Sequence, residues 1–212
     1  LHVKRHSFPT RRSSDLACHA VGEAHAAGIV HRDLKPSNLF LARREGQAPI
    51  VKVLDFGIAK IVEPDDGAAT VTGAVMGSPR YMSPEQIRDP RQVTARSDVW
   101  SLGVTLFELV TGRPPFESPY ASALCAMIVN DRPELALPGE LGAPAGLEAL
   151  IARCLEKAPD ARFADARELR AALRALAPDA VIGIDVTEDA ATGDASTPDA
   201  SVTSSKVWSG RW

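Results

Sequence analysis

Cysteine is scarce in this chain of 212 residues: Cys18, Cys125 and Cys154 are odd in number and far apart. That excludes a disulfide framework and offers no zinc-ligand spacing, so the three read as small buried hydrophobes in a reducing cytoplasm. Aromatic residues make up only 5% of the chain, although hydrophobic residues reach 45%, enough for a sizeable core in one domain with or without a tail. A cationic excess is missing as well. The net charge is -3, and no region has the basic surplus of a nucleic-acid binder, so nucleic acid is not an expected partner. Long apolar runs are also absent: the longest, residues 99–110, is interrupted by Ser101, Gly103, Thr105 and Glu108. It falls short of the ~20 residues that span a bilayer, and no membrane segment is expected. No G-x-G-x-x-G occurs anywhere.

The first sixteen residues, LHVKRHSFPTRRSSDL, have no helical or alternating apolar period and carry four Lys/Arg against one Asp. No apolar stretch follows the basic residues, which excludes a secretory signal; a basic disordered arm or another targeting peptide stays open. Residues 7–16, SFPTRRSSDL, resemble the translation of an adapter oligonucleotide ligated to sequencing libraries. Residues 1–16 are therefore expected to be an artefactual or disordered segment, and the reading frame to be truncated upstream. Residues 17–178 then form one domain. Beyond Pro178 the chain is Ala, Asp, Ser and Thr with little to bury, so residues 179–212 are expected to be a disordered tail.

Within the domain, apolar residues at Leu16, Ala20, Val21, Ala24 and Ala27 keep helical spacing up to Gly28, a fitting C-cap. Residues 39–42 and 50–54 read as two short strands around the turn-like 43–49. Helical period returns at 98–110, 121–129, 147–155 and 165–176, with Gly112-Arg113-Pro114-Pro115 breaking the first from the second.

Between these elements lies an ordered set of motifs. His31-Arg32-Asp33-Leu34-Lys35-Pro36-Ser37-Asn38 is followed, seventeen residues after Asn38, by Asp55-Phe56-Gly57, and later by Ser83-Pro84-Glu85. An H-x-D alone reads as a turn with an Asx cap. The three together resemble the catalytic loop, the magnesium-binding loop and the close of the activation segment of protein kinases, in their bacterial-type serine/threonine branch. The resemblance implies a protein-kinase-like α+β fold, truncated: a mainly α-helical large lobe with a small catalytic β-hairpin, and no small lobe. The one lysine in a strand-like V-K-V context, Lys52, follows the catalytic loop and so is not the phosphate-binding lysine of the family.

By that resemblance Asp33 orients and accepts from the substrate hydroxyl, and Lys35 reaches the transferred phosphate. Asn38 and Asp55 ligate Mg2+ through oxygen. His31 is implied to be a packing residue beside Phe56, not an acid or base, and Gly57 completes the loop. Thr70 and Thr72 resemble activation-loop phosphosites, with Arg32 as the phosphate-docking partner; read without the family, they are two threonines in a polar loop. Ser78 stands at the substrate pocket. Glu85 resembles the glutamate that pairs with a buried arginine, here Arg162, and Asp98 the aspartate that holds the catalytic-loop backbone. Trp100, Phe107 and Phe116 read as core, and His19 and His25 as ordinary helix residues.

The implied activity is transfer of the ATP γ-phosphate to protein Ser/Thr, with ATP and Mg2+ as cofactors, a protein substrate, and a kinase dimer for trans-phosphorylation. The chain alone is expected to be inactive for want of the glycine-rich loop and strand lysine. The rival readings are a noncatalytic kinase-lobe binding module and a small-molecule phosphotransferase, the latter opposed by Ser83-Pro84-Glu85.

Overall fold

Helix α1 spans Pro9–Ala26, so it begins inside the segment that shows no helical period, earlier than the apolar spacing from Leu16 onward indicates. The computed structural model describes residues 9–42, 50–55, 79–137 and 143–176. The early start has two physical causes. A proline at the first helical position costs nothing, because its missing N–H would lack an intrahelical partner anyway. In addition, the Asp15 carboxylate accepts from Arg170 Nε at 3.0 Å and Arg174 Nε at 2.9 Å, a tertiary clamp that apolar periodicity does not register. At the other end, Gly28 has φ +75°; its N–H reaches His25 O at 3.0 Å and the Ile29 N–H reaches Ala24 O at 2.9 Å. This is a Schellman close, for which glycine is the favoured residue.

After the loop of residues 29–35, a 3-10 turn at Pro36–Asn38 leads into β1, Leu39–Ala42. β1 pairs antiparallel with β2, Ile50–Val53, in the register Leu39↔Val53 to Ala42↔Ile50. These two strands form the sheet of the described residues.

The helices that follow surround α3, Ala95–Thr111, whose Val99, Trp100, Val104 and Phe107 are fully buried. A helix buried on nearly all sides is a central one. Thr94 and Ser97 close its start as a capping box, and Gly112 ends it in the left-handed region. The helix extends a turn ahead of residue 98, because its first turn, Ala95-Arg96-Ser97, is specified by the cap and not by apolar residues.

Short α2, Pro84–Arg88, has a capping box too: Gln86 N–H donates to Ser83 Oγ and Ser83 N–H to Gln86 Oε1. Five residues are too few to show an apolar period, and no helix was expected here. α4 (Ala121–Asn130), α5 (Leu147–Cys154) and α6 (Ala166–Ala175) complete the helices, each within a residue or so of its sequence-derived range.

The core holds Trp100, Phe107 and Phe116, with Trp100 and Phe116 stacked at 6.1 Å between centroids. The Lys157 ammonium lies over both rings and donates to Ile128 O at 2.6 Å, pinning the end of α4. Cys18 and Cys154 are buried free thiols. Burial pushes the Cys18 thiol up to about 12 and raises Cys154 as well, which leaves both inert. Among the described residues no helix is long and apolar enough to cross a membrane.

Candidate active site

The loop between α1 and the hairpin is built around Asp98, in the first turn of α3. Its carboxylate is 1% exposed and accepts from His31 N–H at 2.7 Å on Oδ2 and from Arg32 N–H at 2.9 Å on Oδ1. Arg32 needs such an anchor, since its φ of +68° lies in the left-handed region, which costs a residue with a Cβ about 1–2 kcal/mol.

His25 adds a third donor. Its Nδ1 receives the Ala166 N–H at 3.2 Å, so the ring carries its proton on Nε2 and donates it to Asp98 Oδ2 at 2.9 Å. His25 thus ties α1, α3 and the start of α6 together, and is not the ordinary helix residue that its sequence context suggested. No motif or spacing marks it. Only the fold brings residues 25, 98 and 166 into contact.

The buried His31 ring works in a similar way. Nδ1 accepts from Asp33 N–H at 3.2 Å, which leaves Nε2–H to donate to Leu54 O at 2.9 Å. The imidazole bridges the loop to the strand that precedes Asp55.

Around Asp33 the polar side chains converge. Lys35 Nζ lies 3.0 Å from Asp33 Oδ2. Asn38 Nδ2 donates to Asp33 O at 2.8 Å and approaches Oδ2 at 3.4 Å, and Asn38 itself is 4% exposed. Leu54 N–H donates to Asn38 O at 2.8 Å, extending the hairpin so that Asp55 follows next to Asn38. Asp55 has φ +52° and is exposed. One hairpin therefore carries an amide oxygen and a carboxylate at its open end. That donor chemistry suits Mg2+, a hard cation that proteins hold by one or two side chains together with substrate phosphates.

Behind the loop, Arg162 places all five of its donors. Nη1 and Nη2 meet Glu85 Oε1 and Oε2 at 2.7 and 2.9 Å, and Nε, Nη1 and Nη2 also reach the carbonyls of Glu156, Arg96 and Lys157. Burial alone would raise the Glu85 carboxyl. The hydrogen bonds and charge of Arg162, with Ser97 Oγ at 2.7 Å, outweigh it and hold the group below its ordinary value. This pair docks α2, which carries the Ser83-Pro84-Glu85 motif, onto the helical body.

The structure thus brings together Asp33, Lys35, Asn38 and Asp55, with His31, Arg32, Asp98, Glu85 and Arg162 around them. Phe56, Gly57, Thr70, Thr72 and Ser78 lie outside the described residues. Two contributors carry no sequence signal for their role: His25, expected to be an ordinary helix residue, and Gln86, whose Nε2 donates to Arg32 O at 2.6 Å.

The family model described as protein kinase domain matches residues 10–173, starting within the basic N-terminal segment. Serine/threonine-protein kinase Pkn1 of Myxococcus xanthus is 45% identical over 160 residues, covering 74% of this chain and 22% of that protein. Serine/threonine-protein kinase PknB of Mycobacterium tuberculosis (strain ATCC 25618 / H37Rv) is 40% identical over 157 residues, covering 74% and 24%. This chain spans well under a third of the curated relatives it matches. The crystal structure of Rad53 1-466 in complex with AMP-PNP superposes with a TM-score of 0.58 at 25% identity, over 77% of this chain and 39% of that one. With the motif geometry and the match over residues 10–173 in agreement, the chain belongs to the protein kinase domain family.

Proposed function

We propose that this chain is the large-lobe part of a serine/threonine protein kinase that transfers the ATP γ-phosphate to a protein Ser or Thr hydroxyl. The observation that carries the reading is the Asp33–Lys35–Asn38 cluster, with Lys35 Nζ 3.0 Å from Asp33 Oδ2 and Asn38 holding the Asp33 carbonyl beside Asp55. Asp33 takes the proton of the attacking hydroxyl as the new oxygen–phosphorus bond forms and the bond to the departing ADP oxygen breaks. Lys35, already within reach of Asp33, balances charge on the phosphoryl group in transit. Asn38 Nδ2 is committed to Asp33, so Asn38 Oδ1 and the Asp55 carboxylate would be the groups to hold Mg2+. The ion supplies neutralisation of phosphate charge when bound. His31, hydrogen-bonded on both ring nitrogens, positions the loop; Phe56 and Gly57 follow Asp55 as the rest of the motif.

Regulation would run through Thr70 and Thr72, phosphorylated by a second copy of the kinase, with the phosphates docking on Arg32. Among the described residues no carboxylate pairs with the Arg32 guanidinium, which supports that role. Ser78 would line the substrate pocket, and the cytoplasm, where ATP and Mg2+ are available, is the proposed compartment. Residues 7–16 are proposed not to be genomic, on the strength of their adapter-like sequence.

The test is reconstitution. Chain 1–212 joined to a compatible small lobe should phosphorylate a generic Ser/Thr substrate in a Mg2+-dependent way. Failure of such a folded chimera to transfer phosphate from ATP would refute the reading.

A further inference from the structure

We propose that Gln86 is a positioning residue for Asp33, through which α2 sets the orientation of the catalytic loop. The inference rests on the kinase reading of Asp33. Gln86 stands fifty-four residues from Arg32, yet its Nε2 donates to Arg32 O at 2.6 Å. That carbonyl belongs to the Arg32–Asp33 peptide, whose N–H donates to His31 Nδ1 at 3.2 Å. Both edges of the one peptide plane that leads into Asp33 are therefore held, one by α2 and one by the His31 ring.

The plane needs holding because the residue before it, Arg32, has φ +68°. A residue with a Cβ keeps that conformation only when its surroundings over-determine it. Asp98 fixes the N–H side of Arg32 and Gln86 fixes its C=O side. Without the second contact, the Arg32–Asp33 peptide can rotate about Arg32 ψ and carry the Asp33 carboxylate away from Lys35 and Asn38.

The glutamine amide is the chemical requirement. Its Oε1 accepts from Ser83 N–H in the capping box, at 3.5 Å, while its Nε2 donates to Arg32 O. Glutamate at this position keeps the acceptor and loses the donor. It separates loop positioning from helix capping, and Ser83→Ala makes the converse change, removing the hydroxyl that accepts from Gln86 N–H while leaving the Gln86 amide in place.

The experiment measures amide hydrogen exchange of chain 1–212 as it stands, in wild type, Gln86→Glu and Ser83→Ala. In Gln86→Glu the His31, Arg32 and Asp33 amides should exchange about tenfold faster, as expected for a lost hydrogen bond to a buried loop, while α3 and α5 amides keep their rates. Ser83→Ala should leave the loop amides unchanged. Loop exchange in Gln86→Glu within about twofold of wild type, or equal acceleration in both variants, overturns the proposal. In the reconstituted kinase, Gln86→Glu should lower kcat about tenfold with KM for ATP unchanged, and a rise in KM alone would count against positioning. If the loop responds as described but the wild-type chimera transfers no phosphate, the kinase reading fails and the loop contact stands.

Discussion

In the reconstituted enzyme, Asp33→Asn would remove the proposed proton acceptor and Asp55→Asn a proposed magnesium ligand. Each is expected to lower phosphate transfer by about 10²–10⁴-fold, the range for a lost acid–base group, and Asp55→Asn at its upper end. His31→Phe should lower activity much less than either carboxylate change, by about tenfold as for release of the other edge of the Arg32–Asp33 peptide, since its ring acts through two hydrogen bonds. Comparable losses for all three, with folding intact by circular dichroism, would reverse the role of His31. His25 makes a distinct prediction. His25→Leu leaves the Ala166 N–H without its acceptor and Asp98 short of one donor, so urea unfolding should show a loss of about 1–3 kcal/mol. A loss below ~0.5 kcal/mol, the size of an ordinary surface substitution, would mean that the bridge contributes nothing.

At the scale of elements, an ion pair helps to hold α2 and a close approach at Gly103 seats α3 on α5. Removing the Glu85 side chain strands the guanidinium of Arg162, which is 2% exposed. Glu85→Ala should therefore cost about 3–5 kcal/mol, with Arg162→Lys also damaging because an ammonium cannot reproduce five placed donors. The pair also gives a pH signature. The folded-state Glu85 carboxyl is depressed, so its contribution is present above its unfolded value, about 4.3, and is lost as pH falls through the folded value. Wild type should lose stability on acidification below ~4.3, and Glu85→Gln should show a shallower fall over that range. Parallel curves would show that other carboxylates dominate. Where α3 meets α5, a Cβ on Gly103 would sit 2.5 Å from Cys154 Cβ. Gly103→Ala should then destabilise by about 1–3 kcal/mol through overpacking, read as a lowered urea midpoint.

For the whole molecule, purified 1–212 is expected to show no measurable kinase activity, because positioning supplies most of the catalysis of phosphoryl transfer and these 212 residues contain no glycine-rich loop. Robust phosphorylation of a generic substrate by the chain alone would refute this. In the reconstituted kinase, Thr70 and Thr72 should become phosphorylated in trans, and replacing both with alanine should lower activity far more than replacing Thr203 and Ser204. Arg32→Ala should abolish the difference between phosphorylated and dephosphorylated enzyme. Mass spectrometry finding both threonines unmodified in active enzyme would end this account.

Sequence by itself pointed to the protein kinase family, which the match over residues 10–173 shows, and to the chemistry proposed above. The motif residues of the catalytic loop and of the later Asp55 and Glu85 segments are local, contiguous and fixed in order, and the helices with strong apolar period, 121–129 and 147–155, were legible to within a residue because burial imposes that period. The tertiary structure decided what carries no local pattern. The early start of α1 depends on Asp15 meeting two arginines of α6. The proton position on His25 depends on the Ala166 N–H, and the seating of the Arg32 carbonyl on Gln86 from α2, whereas the hold of Asp98 on the loop backbone was already implied by the family resemblance. Each is a polar contact between residues tens of positions apart. A hydrogen bond leaves no periodic trace in sequence, so its partners become visible only when the chain has folded.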